Sequence, residues 1–185
     1  MFDNVSASSL VTAHELEHLY LPNKQVELVR GRLVVREPPG TWHGAVSARL
    51  LRLLGNFVDQ HRLGTLFAQE TGFKIASYPD TVRGPDVAFV RGDQLDRIAR
   101  RGYAELAPDL VAEVLSPDDR AAEVLAKVAD WLGAGTRLVW VIDPQRSEAR
   151  VHRADGSVSV VPEDGVLDGE DVVSGFTCPL REVLS

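Results

Sequence analysis

A chain of 185 residues with 20 basic and 27 acidic side chains, net charge −7, is long enough for one well-buried core and too short for two ordinary domains. Its apolar and charged fractions exclude a disordered or fibrous class, no apolar run approaches the ~20 residues of a membrane helix, and the acidic surplus argues against a tight nucleic-acid binder working through a basic face. Cys178 is the only cysteine, which excludes an internal disulfide and argues against a thiolate zinc cage; the opening MFDNVSASSL lacks the segments of a secretory leader, so a cytoplasmic protein is expected.

In chain order, Thr12 to Tyr20 predicts a short helix opened by a Thr12–Glu15 capping box and ended by Pro22 and Asn23. Inside it, His14–Glu15–Leu16–Glu17–His18 has HExxH zinc-protease spacing, with two histidines on one face and Glu15 as base. The extended motif asks for glycine at 21 and histidine at 24, where this chain has Leu21 and Lys24, and a third ligand would have to come from Glu27. Pro22 ends the helix only four residues later, and an exposed polar helix face is the simpler account of the pattern.

Val26 to Val35 predicts two strands folded about Gly31. From Trp42 to His61 the apolar residues Val46, Leu50, Leu53, Leu54, Phe57 and Val58 recur at helical spacing, with Gly64 as the stop. Three strands follow, Thr65–Gln69, Gly72–Ala76 and Asp86–Val90, the last preceded by Pro79, Gly84 and Pro85. After a basic, turn-rich stretch holding Arg97, Arg100 and Arg101, Leu110 to Leu115 forms an apolar strand broken only by Glu113. A helix is predicted from Ser116 to about Gly133, then a buried strand Val139–Ile142 stopped by Asp143–Pro144. The remainder, through Val151, Val158–Val161 and Val172, reads as a β-rich edge with a final helix near Pro179–Leu184. Strands alternating with two long helices predict one α/β domain over residues 1–185, a mixed sheet covered by helices.

Glu113 is the most informative residue. A bare carboxylate inside a strand buried on both faces costs several kcal/mol, so it must be paired, hydrogen-bonded or metal-bound. An ion pair with a buried arginine is the plain structural alternative. Asp86 opens its strand directly after Gly84–Pro85, where a turn-capping aspartate is the alternative. The two acids converge if their strands pair. Magnesium is satisfied by one or two carboxylates, with water and substrate phosphate completing its octahedron, and such a site activates water and neutralises phosphate charge.

Gly84–Pro85–Asp86–Val87–Ala88–Phe89, Leu110 to Pro117, Lys127 and Val139 to Pro144, in that order and spacing, resemble the Uma-type branch of the PD-(D/E)XK nuclease superfamily, a branch described as restriction endonucleases. The resemblance begins at Glu27–Leu28–Val29–Arg30–Gly31 and fades after about Val151. It implies a restriction-endonuclease-like fold in which Asp86 and Glu113 are the metal-binding acids and Glu27 completes the metal site. His43 matches a histidine common in the branch. The superfamily lysine belongs two residues after the second acid, where this chain has Leu115; in this branch it resembles a lysine moved to the following helix, here Lys127. Lys127 lies about 100° from the centre of a stripe formed by Val124, Val128, Trp131 and Leu132, where a solvated lysine is the alternative.

The function expected is Mg²⁺- or Mn²⁺-dependent phosphodiester hydrolysis of DNA, with Asp86, Glu113 and Glu27 as ligands and Lys127 as the catalytic cation. Arg97, Arg100 and Arg101 are candidate phosphate contacts, a solvated turn being the simpler reading. Nuclease folds of this size often act as dimers. The rival expectation is a catalytically inactive module that keeps the fold for self-association or partner binding.

Overall fold

The structure, a computed structural model, describes residues 10–98 and 100–185. Residues 1–9, on which the leader reading rests, lie outside these, as does Ala99 beside the basic turn.

Helix α1 (Ala13–Glu17) opens with the expected capping box: the Thr12 hydroxyl accepts from the Glu15 N–H, and the Glu15 carboxylate accepts from the Thr12 N–H. It is shorter than expected because the His18 N–H turns back to the Glu15 carbonyl. Strands β1 (Gln25–Val29) and β2 (Arg32–Arg36) form a hairpin whose turn residues, Arg30 and Gly31, both take positive φ, 48° and 74°. That backbone twist suits a two-residue hairpin and is why glycine stands there. Helix α2 (Thr41–His61) buries Val46, Leu50, Leu54 and Val58 on one stripe. Its stop is Arg62 in the left-handed conformation, not Gly64. Gly64 instead opens β3 (Gly64–Ala68), where a Cβ would sit 2.1 Å from the Val90 carbonyl oxygen.

Strand β4 (Phe73–Ala76) is followed by β5 (Thr81–Arg83), which was not expected: three residues are too few for an alternation to show. Next come β6 (Val87–Arg91), a 3₁₀ turn over Gly92–Arg97 and β7 (Leu110–Val114). Helix α3 (Ala121–Ala134) begins later than predicted, because the Asp119 carboxylate accepts from the Ser116 N–H at 2.7 Å and closes a separate turn first. The chain finishes with β8 (Leu138–Asp143), β9 (Glu148–Arg153), β10 (Val158–Pro162), β11 (Val166–Asp168), β12 (Thr177–Pro179) and α4 (Leu180–Leu184), and Val172 falls in a turn.

A six-stranded mixed sheet runs in the order β10-β9-β8-β7-β6-β3 and is antiparallel except for β7 and β8. That parallel pair is joined by α3, the crossover such a pair requires. On one face Phe89, Leu110, Trp140 and Ile142 pack against α2 and α4; on the other Val90, Val111 and Val139 pack against Phe73, Val128 and Trp131. Burial on both faces explains why β7 reads as an almost continuous apolar run. An antiparallel second sheet, β2-β1-β5-β4, brings the N-terminal hairpin to the edge of α3, and β11 pairs with β12. No helix of the described residues is long and apolar enough to cross a membrane.

Candidate active site

β6 and β7 run antiparallel with Val87 opposite Ala112, and the same register carried one step further sets Asp86 opposite Glu113. Gly84–Pro85 thus delivers one carboxylate to the strand end that carries the other. The Asp86 Oδ2 atom accepts from the Val114 N–H at 2.7 Å and lies 3.2 Å from His43 Nε2; Oδ1 accepts from the Gln69 amide at 2.8 Å. His43 comes from the first turn of α2, and the Gln69 amide also lies 3.2 Å from its Nδ1. Burial alone would push the Asp86 carboxyl up, but His43, Gln69 and Lys127 outweigh it and hold the group below its ordinary range. Burial depresses His43, and Asp86 more than compensates, leaving the imidazole above its usual value.

Glu113 is 6% exposed and hydrogen-bonded at both oxygens. Lys127 Nζ donates to Oε2 at 2.7 Å, and the Trp131 indole donates to Oε1 at 2.8 Å. These two donors stand four residues apart on α3, hence on one face. Burial is the largest influence on Glu113; Lys127 opposes it, while Asp86 and Glu27 add repulsion, and the carboxyl is pushed up to about 7. Lys127 loses solvation by burial but is held above its ordinary value by Glu113, Glu27 and Asp86. Two adjacent carboxyls with ionisation driven in opposite directions are a pattern of sites built for chemistry.

Glu27, on β1, stands behind this cluster. Its Oε2 accepts from Arg83 Nη1 at 2.8 Å, and its Oε1 accepts from the Gly84 N–H at 3.0 Å and lies 3.5 Å from Lys127 Nζ. Burial raises its carboxyl, but Lys127 and Arg83 overcome that and keep it ionised. Arg83 also donates through Nε and Nη2 to Asp130 Oδ2, at 3.1 and 2.6 Å.

Glu27, His43, Gln69, Asp86, Glu113 and Lys127 all line a groove of about 1120 Å³. Arg97, Arg100 and Arg101 do not line it. The reason is topological: they follow the far end of β6, and a five-residue strand separates its ends by about 16 Å. The basic residues that do line the groove include Arg36, 3.2 Å from Asp119, and Lys24, paired with Glu37. The HExxH pattern is corrected to a helix cap. Glu15 is engaged by Thr12, His18 Nδ1 meets the His14 carbonyl oxygen at 2.8 Å, and among the described residues no third ligand approaches.

The donor set fits a small hard cation. Among the described residues no three His, Cys, Asp or Glu side chains are arranged to enclose an ion by themselves. Asp86 and Glu113 are the residues that would hold such an ion, and the repulsion acting on Glu113 is what a cation would relieve.

Sequence reasoning missed Gln69, Arg83, Asp130 and Trp131. Arg83 carried the same signal as Glu113, a charge inside a short run bounded by apolar residues and glycine. Trp131 belongs to the core stripe of α3, and its place four residues after Lys127 sets both on one face.

A crystal structure of a putative nuclease belonging to DUF820 from Anabaena variabilis ATCC 29413 matches with a TM-score of 0.79 at 22% identity, over 94% of this chain and 97% of that one. It shows that the two share a fold. No curated protein matches the chain. The family model Uma2, described as a putative restriction endonuclease, matches residues 13–181. Since that span takes in nearly all 185 residues, including the hairpin, both acidic strand ends and α3, the chain belongs to the Uma2 family.

Proposed function

We propose that this protein is a divalent-metal-dependent endonuclease that hydrolyses phosphodiester bonds in DNA, with Mg²⁺ or Mn²⁺ as cofactor. The observation that carries the reading is the Lys127 ammonium 2.7 Å from Glu113, in the same buried cluster as Asp86. A binding module has no use for two opposed carboxylates and a cation enclosed together, because desolvating them is costly.

Asp86 and Glu113 offer hard oxygen donors at one strand end. When bound, a divalent ion supplies positive charge at the scissile phosphate and acidifies water. Asp86 is oriented in advance by His43, Gln69 and the Val114 N–H, so little reorganisation remains when substrate arrives. Trp131 fixes one Glu113 oxygen and shields it from water. Lys127 brings a compact cation to the side of the cluster facing the groove, where it stabilises charge that develops on the phosphate. A cytoplasmic location and a homodimer belong to the same proposal.

The test is nicking of supercoiled plasmid by purified protein with Mg²⁺ or Mn²⁺, against Asp86→Asn. Metal-dependent nicking lost in the variant supports the reading. Absence of cleavage on duplex DNA, single-stranded DNA and RNA with either metal would favour the inactive module.

A further inference from the structure

Arg83 is 4% exposed on the three-residue strand β5, and its hydrogen bonds bypass the two strand-end carboxylates. Nη1 donates to Glu27 at 2.8 Å, while Nε and Nη2 grip Asp130 at 3.1 and 2.6 Å. Asp130 lies three residues beyond Lys127 on α3, so this grip fixes the helix within one turn of the ammonium.

We propose that Arg83 is a positioning residue that acts through Glu27 and Asp130 to hold the Lys127 ammonium at Glu113, and that Glu27 belongs to this brace and is not a ligand of the ion. The inference rests on the metal-dependent nuclease reading of the same site.

Lys127 has two carboxylates within reach, Glu113 at 2.7 Å and Glu27 at 3.5 Å. Its four-carbon stem is flexible enough to serve either. Arg83 and the Gly84 N–H already satisfy Glu27, one at each oxygen, whereas Glu113 Oε2 accepts from Lys127 alone. Remove Arg83, and the buried Glu27 loses its closest cation, while Asp130 keeps only the exposed Arg30, 3.5 Å away. The nearest replacement for Glu27 is Lys127, drawn off Glu113 and out of its working position. Glu27 differs from Asp86 in what already balances its charge: the Arg83 guanidinium, a permanent cation, donates to it at 2.8 Å, whereas Asp86 accepts from the neutral Gln69 amide and the Val114 N–H.

The experiment compares Arg83→Met with Asp130→Asn, a milder variant that tests the same brace if the first folds poorly. Lysine acetylation needs no activity, and the chain has only three lysines, Lys24, Lys74 and Lys127, so peptide mass spectrometry reads each. Acetylation of Lys127 relative to Lys74 should rise severalfold in both variants. Manganese titration should give Glu27→Gln the affinity of wild type and Asp86→Asn none. Single-turnover cleavage should fall by about 10–100-fold in Arg83→Met, as for other residues that orient a site from behind, and by nothing further when the change is made on Lys127→Met. An equal fall on both backgrounds, unchanged Lys127 acetylation, or loss of manganese binding in Glu27→Gln would each overturn the brace. If wild type cleaves nothing, the nuclease reading fails and the acetylation result still decides the brace.

Discussion

Asp86 and Glu113 face each other at the end of the β6–β7 pair, yet one is held below its ordinary ionisation range and the other is pushed up to about 7. Burial raises both, and their neighbours decide the outcome. Asp86 has His43, Gln69 and a backbone N–H, whereas Glu113 has the Trp131 indole and one cation that it shares with Glu27, and Asp86 and Glu27 both repel it. If these carboxylates hold the ion, calorimetry should detect Mg²⁺ or Mn²⁺ binding to wild type and none to Asp86→Asn or Glu113→Gln. Unchanged affinity in both variants sinks the ligand assignment.

The raised Glu113 carboxyl makes a prediction about pH. Its ordinary value is 4.5, so between there and about 7 the folded state binds more protons than the unfolded state. Stability of the metal-free protein should therefore fall as pH rises through that window, by about 3 kcal/mol from this group. Glu27 and Asp86, both lowered, act in a separate window, losing their contribution only on acidification below their ordinary values. Glu113→Gln should match wild type at about pH 5 and be at least as stable at about pH 8. If Glu113 were only a structural ion-pair partner, melting would instead show a loss of roughly 3–5 kcal/mol at about pH 8.

Lys127 carries charge stabilisation in the proposed reaction. Lys127→Met, assayed at saturating metal, should lower nicking by about 10²–10³-fold. Lys127→Arg should recover little, because the side chain is 14% exposed and a planar guanidinium does not fit a space shaped for an ammonium. Lys74→Ala is the control for charge loss, since Lys74 pairs with Glu105 outside the groove, whereas Lys24 lines it. Equal rates for Lys127→Met and wild type would remove Lys127 from the mechanism.

His43 touches Asp86 from α2, and Gln69 touches both. His43→Ala should weaken manganese binding by about 10–100-fold, the usual effect of removing a group that orients a ligand. Gln69→Ala should act in the same direction, and the double variant should fall short of the product of the two because they share one carboxylate. Multiplying effects would mean that each residue acts on its own.

Much of this protein was legible one residue at a time. The capping box at Thr12, the hairpin about Gly31, the stripe of α2 and the charge at Glu113 are local signals, because helix period, turn conformation and the cost of burying a carboxylate are set by near neighbours. The spacing of Asp86, Glu113 and Lys127 in the chain was likewise visible. Pairings between distant elements were not. Only the fold sets Asp86 against Glu113, turns α3 so that Lys127 and Trp131 both reach that carboxylate, and places Arg83 between Glu27 and Asp130, 56 and 47 residues away. It also sends Arg97, Arg100 and Arg101 to the opposite end of β6, although in the chain they stand closer to Glu113 than Gln69 does. The physical reason is that a carboxylate's charge state depends on which donors lie within a few ångströms, and strand register and helix docking, not chain position, decide which those are.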